Sequence, residues 1–76
     1  MIKFIDVFAK MTTDGIPKPI SIIWEDGRTF EIDKILDIRK KASTKGGGAG
    51  TRYVVKINGH EKFLFLNDYK WFIEVD

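Results

Sequence analysis

The sequence predicts a mostly β protein, folded as a small antiparallel sheet that curls toward a barrel and contains no long helix. Isoleucine occurs eleven times, whereas leucine and alanine occur three times each. β-Branched side chains pack well on a pleated sheet and less well in a helix. The seven glycines and two prolines fall at four points along the chain, and the runs between them are rich in Ile, Val, Phe, Tyr and Thr. Such runs are typical of strands joined by turns.

Six strands are predicted along the chain. They lie near residues 2–12, 20–25, 28–39, 51–57, 60–66 and 69–75. Six short strands with tight turns are typical of a curled sheet or barrel of SH3-like or OB-like size, and closure covers strand edges that would otherwise be exposed. A chain of 76 residues has room for one small core. We therefore predict a single β-barrel-like domain over 1–76, with a flexible basic glycine-rich loop at about 40–50.

The turn after the second predicted strand sets how two strands pair. A three-residue loop places Ile22 opposite Phe30 and separates apolar from polar partners, whereas a two-residue loop mixes them on each face. We therefore predict the three-residue loop. Its last residue, Gly27, is predicted to adopt the left-handed conformation, which costs glycine no steric strain.

The pair Asn58-Gly59 predicts a second hairpin. A two-residue type I′ turn needs positive φ at both central residues, and Asn followed by Gly is the strongest short signal for it. This turn places Lys56 opposite Glu61, whereas a slip of one residue would place it opposite Lys62. Like charges directly opposite each other are unfavourable, so we predict the first register.

The segment 32–39 has two interpretations. Its apolar residues show helical spacing at 32, 35 and 36, but strand spacing at 36 and 38. We interpret Asp33-Lys34 as a bulge that bends one long strand, as the corner of a barrel requires. A single helical turn is the alternative.

Positive charge is concentrated in one stretch of the chain. Residues 39–52 carry +5 with no acid, although the net charge of the whole chain is +2. The candidate contacts to a nucleic acid or another anion are Arg39, Lys40, Lys41, Lys45 and Arg52. Cations on a loop can follow a phosphate backbone, but a solvated loop that keeps the protein soluble accounts for the same residues.

Two aromatic side chains are candidates for exposure, Trp24 and Tyr53. Exposed aromatic rings beside basic residues can stack on unpaired bases, whereas in a small domain most aromatic rings pack in the core. The predicted hairpin places Arg28 opposite Trp24, which favours a cation–π contact at a surface edge.

The residues that enzymes and metal sites need are scarce. The chain has no cysteine and one histidine, His60, which we interpret as a solvated residue beside a turn. The segment 45–50 is glycine-rich but lacks the spacing of phosphate-binding loops. No signal peptide or membrane-crossing apolar run is present. We therefore expect a cytoplasmic, non-enzymatic protein with no catalytic residue, metal or cofactor.

The run from Pro19 to Asp37, followed by Arg52-Tyr53 and Trp71-Phe72, resembles short uncharacterised β-rich proteins of Gram-positive bacteria. More weakly, it resembles the small domain encoded beside or fused to Y-family translesion polymerases. The shared pattern is Trp-x-x-Gly-Arg-x-aromatic, then Ile/Val-Leu, a loop and a closing Trp. The resemblance implies a compact barrel and a DNA-repair context.

Two functions are compatible with these observations. The first is a binding or accessory module that acts through contacts with another protein. The alternative is a small nucleic-acid-binding barrel that uses residues 39–52. Self-association is compatible with either function. Exposed aromatic side chains beside Lys40, Lys41 and Arg52 would favour nucleic acid, whereas an apolar patch away from them would favour a protein partner.

Overall fold

The computed structural model describes residues 1–41 and 50–75 of the chain, and these form seven strands. The strands are β1 (Ile2–Met11), β2 (Pro17–Ile23), β3 (Thr29–Glu31), β4 (Lys34–Lys40), β5 (Thr51–Ile57), β6 (His60–Asn67) and β7 (Lys70–Glu74). The described residues contain no helix, and hence none of the length and apolarity needed to cross a membrane. The predicted mostly β class is confirmed, with seven strands rather than six.

The strands form one antiparallel sheet in the order β3-β2-β1-β7-β6-β5-β4. The two edge strands, β3 and β4, follow each other in the chain with only Ile32 and Asp33 between them. The N–H of Ile32 donates to the carbonyl of Ile20 on β2, and the N–H of Asp33 donates to the carbonyl of Lys56 on β5. The sheet must therefore curl until its two edges approach this corner, which gives a half-barrel.

The predicted single strand over 28–39 is bent, as expected, but the details differ from the prediction. The chain leaves strand geometry at Ile32–Asp33 rather than at Asp33–Lys34. The bulge itself lies later, where Leu36 is an extra residue between Ile35 and Asp37 in the pairing with β5. A break followed by a bulge lets one chain segment pair with β2 first and then with β5. The alternative of a helical turn is not formed.

The hairpin formed by β2 and β3 has the predicted register. Ile22 lies opposite Phe30, and the N–H of Trp24 donates to the carbonyl of Arg28. Gly27 has a φ of 89° and its N–H donates to the carbonyl of Trp24, so the three-residue loop with a left-handed last residue is confirmed.

Replacing Gly27 with alanine is expected to lower the free energy of unfolding by about 1 kcal/mol. No atom lies within 4 Å of an added Cβ, so the whole effect comes from the backbone conformation. Chemical denaturation measures it, and Gly27→Asn is the control, because asparagine tolerates positive φ better. Equal losses for both variants would contradict this explanation. Gly47, a glycine of the predicted loop, lies outside the described residues.

The β5–β6 hairpin is also confirmed. Asn58 and Gly59 have φ values of 51° and 77°, as a type I′ turn requires. Lys56 lies opposite Glu61, and Val54 lies opposite Phe63. The chain therefore adopts the register that we predicted from the charges of Lys56 and Glu61.

The core lies on the concave side of the sheet. Its fully buried side chains are Tyr53, Val55 and Leu64 on β5 and β6, and Ile5, Ile22, Ile57 and Ile73 complete the buried cluster. The Tyr53 hydroxyl donates a hydrogen bond to the carbonyl of Pro17, at 2.6 Å. This contact joins β5 to β2, which are separated by three strands in the sheet order, so the two halves of the curled sheet meet through the core.

Candidate interaction surfaces

The basic residues predicted from the sequence belong mostly to strands. Arg39 and Lys40 end β4, Arg52 lies on β5, and Lys41 is exposed just after β4. The N–H of Lys41 donates to the carbonyl of Gly50 at 3.0 Å, which extends the pairing of β4 with β5. Lys45 and the other residues of 42–49 lie outside the described part of the chain, so the predicted flexible loop stays a prediction.

One carboxylate, that of Asp37, lies close to the guanidinium groups of both Arg39 and Arg52. Arg39 Nε lies 2.7 Å from Asp37 Oδ2, and Arg52 Nη2 lies 3.7 Å from the same oxygen. The sequence stretch 39–52 contains no acid, but alternation along β4 places Asp37 and Arg39 on one face, next to Arg52. Asp37 therefore reduces the local excess of positive charge.

Arg52 is a packed side chain rather than a free one. Its guanidinium lies 5.2 Å from the centre of the Phe63 ring, and its side chain is 16% exposed. Its Nε is buried with no hydrogen-bond partner among the described residues. Arg52 therefore contributes to packing on the convex face as well as to charge.

Of the two candidates for exposure, Tyr53 is not exposed and Trp24 is only partly exposed. Tyr53 is fully buried, because alternation along β5 directs it to the concave side together with Val55. Trp24 is half-buried and packs against the core. The cation over its ring is Lys3, at 5.3 Å, while Arg28 lies over Phe30 at 5.4 Å. The predicted contact between Trp24 and Arg28 is therefore replaced by two others.

Different aromatic side chains are exposed. Phe4 and Phe8 on β1 are 60% and 58% exposed, and Tyr69 in the β6–β7 turn is 97% exposed. Phe4 meets Phe72 edge-on, and Phe72 stacks on Phe65 with ring centres 5.1 Å apart. The convex face therefore carries its own row of phenylalanines across β1, β7 and β6. The sequence signals it, because residues 63–66 are apolar without alternation, which indicates burial on both faces.

One side of β1 is open along its second half. β1 pairs with β7 from Ile2 to Ile5, but its pairing with β2 continues to Met11. The carbonyl of Met1 accepts a hydrogen bond from Val75, which follows β7. Because backbone groups alternate sides along an antiparallel strand, the odd-numbered residues face the β7 side. Val7, Ala9 and Met11 therefore direct their N–H and C=O groups to a side where no described strand pairs with them.

A wide groove runs along this open edge. It has a volume of about 1060 Å³ and lies between β1, the end of β2 and the start of β7. Its apolar lining includes Phe4, Val7, Phe8, Trp24, Tyr69 and Trp71. Unpaired backbone groups and apolar side chains thus occur together at one place, which we call the open edge of β1.

The turn acids are held ionised by local contacts. The Thr12 hydroxyl, the N–H of Ile16 and the Lys18 ammonium hold the pKa of Asp14 well below its ordinary value. The N–H of Arg28, with its guanidinium, lowers the pKa of Asp26. Both carboxylates accept backbone hydrogen bonds two residues further on, as in Asx turns.

Metal-binding groups are not clustered in the part of the chain that the structure describes. Residues 1–41 and 50–75 contain no group of three or more His, Cys, Asp or Glu side chains that could hold a metal ion. His60 is exposed at the start of β6, at the end of the Asn58-Gly59 turn.

Comparison with protein-family models, with curated proteins and with solved structures found no match. The resemblance to small β-rich proteins of Gram-positive bacteria and to a domain associated with Y-family polymerases therefore stays a prediction. The fold places the protein in the class of antiparallel β half-barrels.

Proposed function

We propose that this protein is a non-enzymatic binding module that contacts a partner protein through the open edge of β1. The observation that carries the proposal is the side of β1 beyond Ile5 that pairs with no described strand, bordered by the exposed side chains of Phe8, Met11 and Tyr69. An exposed edge accepts an extended peptide as an additional strand, with main-chain hydrogen bonds giving affinity. Apolar side chains on either side then select alternate residues of that peptide.

The position of the apolar surface supports a protein partner over a nucleic acid. Phe4 and Phe8 lie on β1, which is separated from β5 and Arg52 by two strands in the sheet order. The two arginines of the basic group are already paired with Asp37. Phe4 and Phe8 thus lie away from Arg39 and Arg52.

Replacing Ala9 with proline is expected to abolish binding of an extended peptide and to leave the fold intact. Proline lacks the N–H that the added strand needs, and at Ala9 that N–H faces the open side. Proline is tolerated where the N–H of an edge strand faces solvent. Random peptides are selected against the immobilised protein, and affinity is measured for each variant. Ala9→Val is the matched control, because it keeps the N–H at the same position.

Circular dichroism, amide shifts, peptide affinity and sedimentation decide the outcome. Circular dichroism establishes that both variants are folded, and amide shifts on peptide addition should be largest at Val7, Ala9 and Met11. Peptides that bind Ala9→Pro as tightly as Ala9→Val would overturn the proposal, and so would a selection that yields no binder. Sedimentation at increasing concentration tests self-association, which Ala9→Pro should prevent if it uses this edge.

A nucleic acid is the second candidate partner, favoured by one observation. Phe63 is 42% exposed and lies against the Arg52 guanidinium, and exposed aromatic rings beside arginine can stack on bases. Lys40 and Lys41 are exposed at the end of β4, which pairs with β5 at Arg39 and Arg52.

Binding to single-stranded DNA is expected to weaken with salt if this second function is correct. For about three to four phosphate contacts, log affinity falls with log salt at a slope near −3. Replacing Lys40 and Lys41 together with alanine should reduce that slope by about one to two units without changing the melting temperature. Binding weaker than millimolar at low salt, to both single-stranded and duplex nucleic acid, would reject this candidate.

A further inference from the structure

A second cavity opens at one end of the curled sheet, on its concave side. It has a volume of about 370 Å³ and lies between the β2–β3 turn, the β5–β6 turn and the end of β7. Its floor is formed by Ile22, Ile57 and Ile73, which are among the buried core residues. Its walls are formed by the half-buried side chains of Trp24, Phe30 and Val75. The cavity therefore reaches the edge of the buried core at this end of the half-barrel.

Basic side chains lie at the rim of this cavity. Arg28, His60 and Lys62 line it. Lys62 lies opposite Val55 and His60 lies opposite Ile57, so both occupy positions on the concave face, in line with the core residue Leu64. Polar residues at core-facing positions mark the place where the apolar floor meets water.

Arg28 and Lys62 differ in whether a neighbouring group already neutralises their charge. Arg28 Nε lies 2.6 Å from Asp26 Oδ2, and the Arg28 guanidinium covers Phe30. Lys62 makes no ion pair with another described residue. Glu74 lines the same cavity, but its pairing with Ile2 places it in register with the convex-facing residues. Lys62 is therefore the cation at this rim that is available to an incoming anion.

We propose that this cavity binds a small amphipathic carboxylate, such as a medium-chain fatty acid. Its volume falls within the range of about 300–1000 Å³ that is usual for small-molecule sites, which often lie at the mouths of β-barrels. The aliphatic chain lies on the isoleucine floor, where apolar burial supplies the affinity. The carboxylate lies at the rim against Lys62, whose charge favours an anion over a neutral or cationic headgroup. This proposal does not depend on the function proposed for the open edge of β1, because the linings of the two sites share only one residue, Trp24.

The experiment compares three eight-carbon probes that differ in headgroup: octanoate, octanol and octyltrimethylammonium. Binding is followed by amide and methyl shifts in NMR spectra and by tryptophan fluorescence, since Trp24 lines the cavity. Octanoate is expected to bind about fivefold more tightly than octanol. The NMR signals of the Ile57 and Ile73 methyl groups should shift on titration with octanoate and give the same dissociation constant.

Lys62→Met should remove this preference and leave octanol binding unchanged. Lys62 is exposed, so the variant is expected to fold. Lys56→Met is the matched control, because Lys56 belongs to the same hairpin but lies opposite Glu61 on the convex side. It should keep the preference for octanoate. The proposal is overturned if octanoate gives no saturable shift at these residues, if octyltrimethylammonium binds as tightly, or if Lys62→Met and Lys56→Met behave alike.

Discussion

Replacing Leu64 with alanine is expected to lower the free energy of unfolding by about 3 kcal/mol, which is the usual cost of a cavity in a core. Leu64 is fully buried on β6 among the concave core residues. A domain of this size has a total stability of roughly 4–11 kcal/mol. The loss should therefore be visible as a large fall in the denaturant midpoint and in the melting temperature.

Phe63→Ala is the matched control for this prediction. Phe63 is the preceding residue of the same strand, but it lies on the convex face and is partly exposed. Its removal is expected to cost about 1 kcal/mol, as for a side chain that is packed on one side only. If the two variants lost the same stability, the concave side could not be the principal core.

Replacing Tyr53 with phenylalanine is expected to cost about 1 kcal/mol at neutral pH, because it leaves the carbonyl of Pro17 without its hydrogen-bond donor. The ring remains, with its contact to Trp71 at 5.3 Å between ring centres, so packing changes little. Urea denaturation of both proteins at pH 7 measures the difference.

The same variant should also change how stability depends on pH. Burial, together with the negative charge of Asp14, raises the pKa of the Tyr53 hydroxyl above its ordinary value. The unfolded chain loses this proton near pH 10, whereas the folded protein retains it to higher pH. The contribution of Tyr53 is thus complete below about pH 10 and is lost as the pH rises beyond it. Tyr53→Phe should show a shallower loss of stability as the pH rises above about 10, and an unchanged slope would contradict this assignment.

The turns were predictable because their chemistry is local. Gly27, Asn58 and Gly59 adopt the positive φ values that their positions in the hairpins require. Once each turn type was chosen, the pairing of Ile22 with Phe30 and of Lys56 with Glu61 followed from charge and polarity.

The direction of aromatic side chains was not predictable in the same way. Tyr53 is followed by two apolar residues, Val54 and Val55, so alternation did not indicate which face is the core. Asp37 next to Arg39 and Arg52 was also missed, because it lies just outside the acid-free stretch. The pairing of β4 with β5 brings these residues together.

One glycine of the predicted loop has a structural role that composition concealed. A Cβ added at Gly50 would lie 2.8 Å from the carbonyl oxygen of Leu66, so the backbones of two strands approach closely there. Within a run of glycines, the sequence gives no signal that separates this position from its neighbours.

The pairing of β1 with β7 has a consequence for the order in which the chain can fold. Ile2 lies opposite Glu74 and Phe4 lies opposite Phe72, so the middle of the sheet joins residues that are almost the whole chain apart. The hairpins on either side join residues that are close in sequence, whereas the pairing of β1 with β7 closes a very long loop. Proteins dominated by such distant contacts fold in milliseconds to seconds rather than microseconds. During synthesis on a ribosome, strands β1 to β3 can pair early, and so can strands β4 to β6. The two groups can join only after β7, residues 70–74, has emerged.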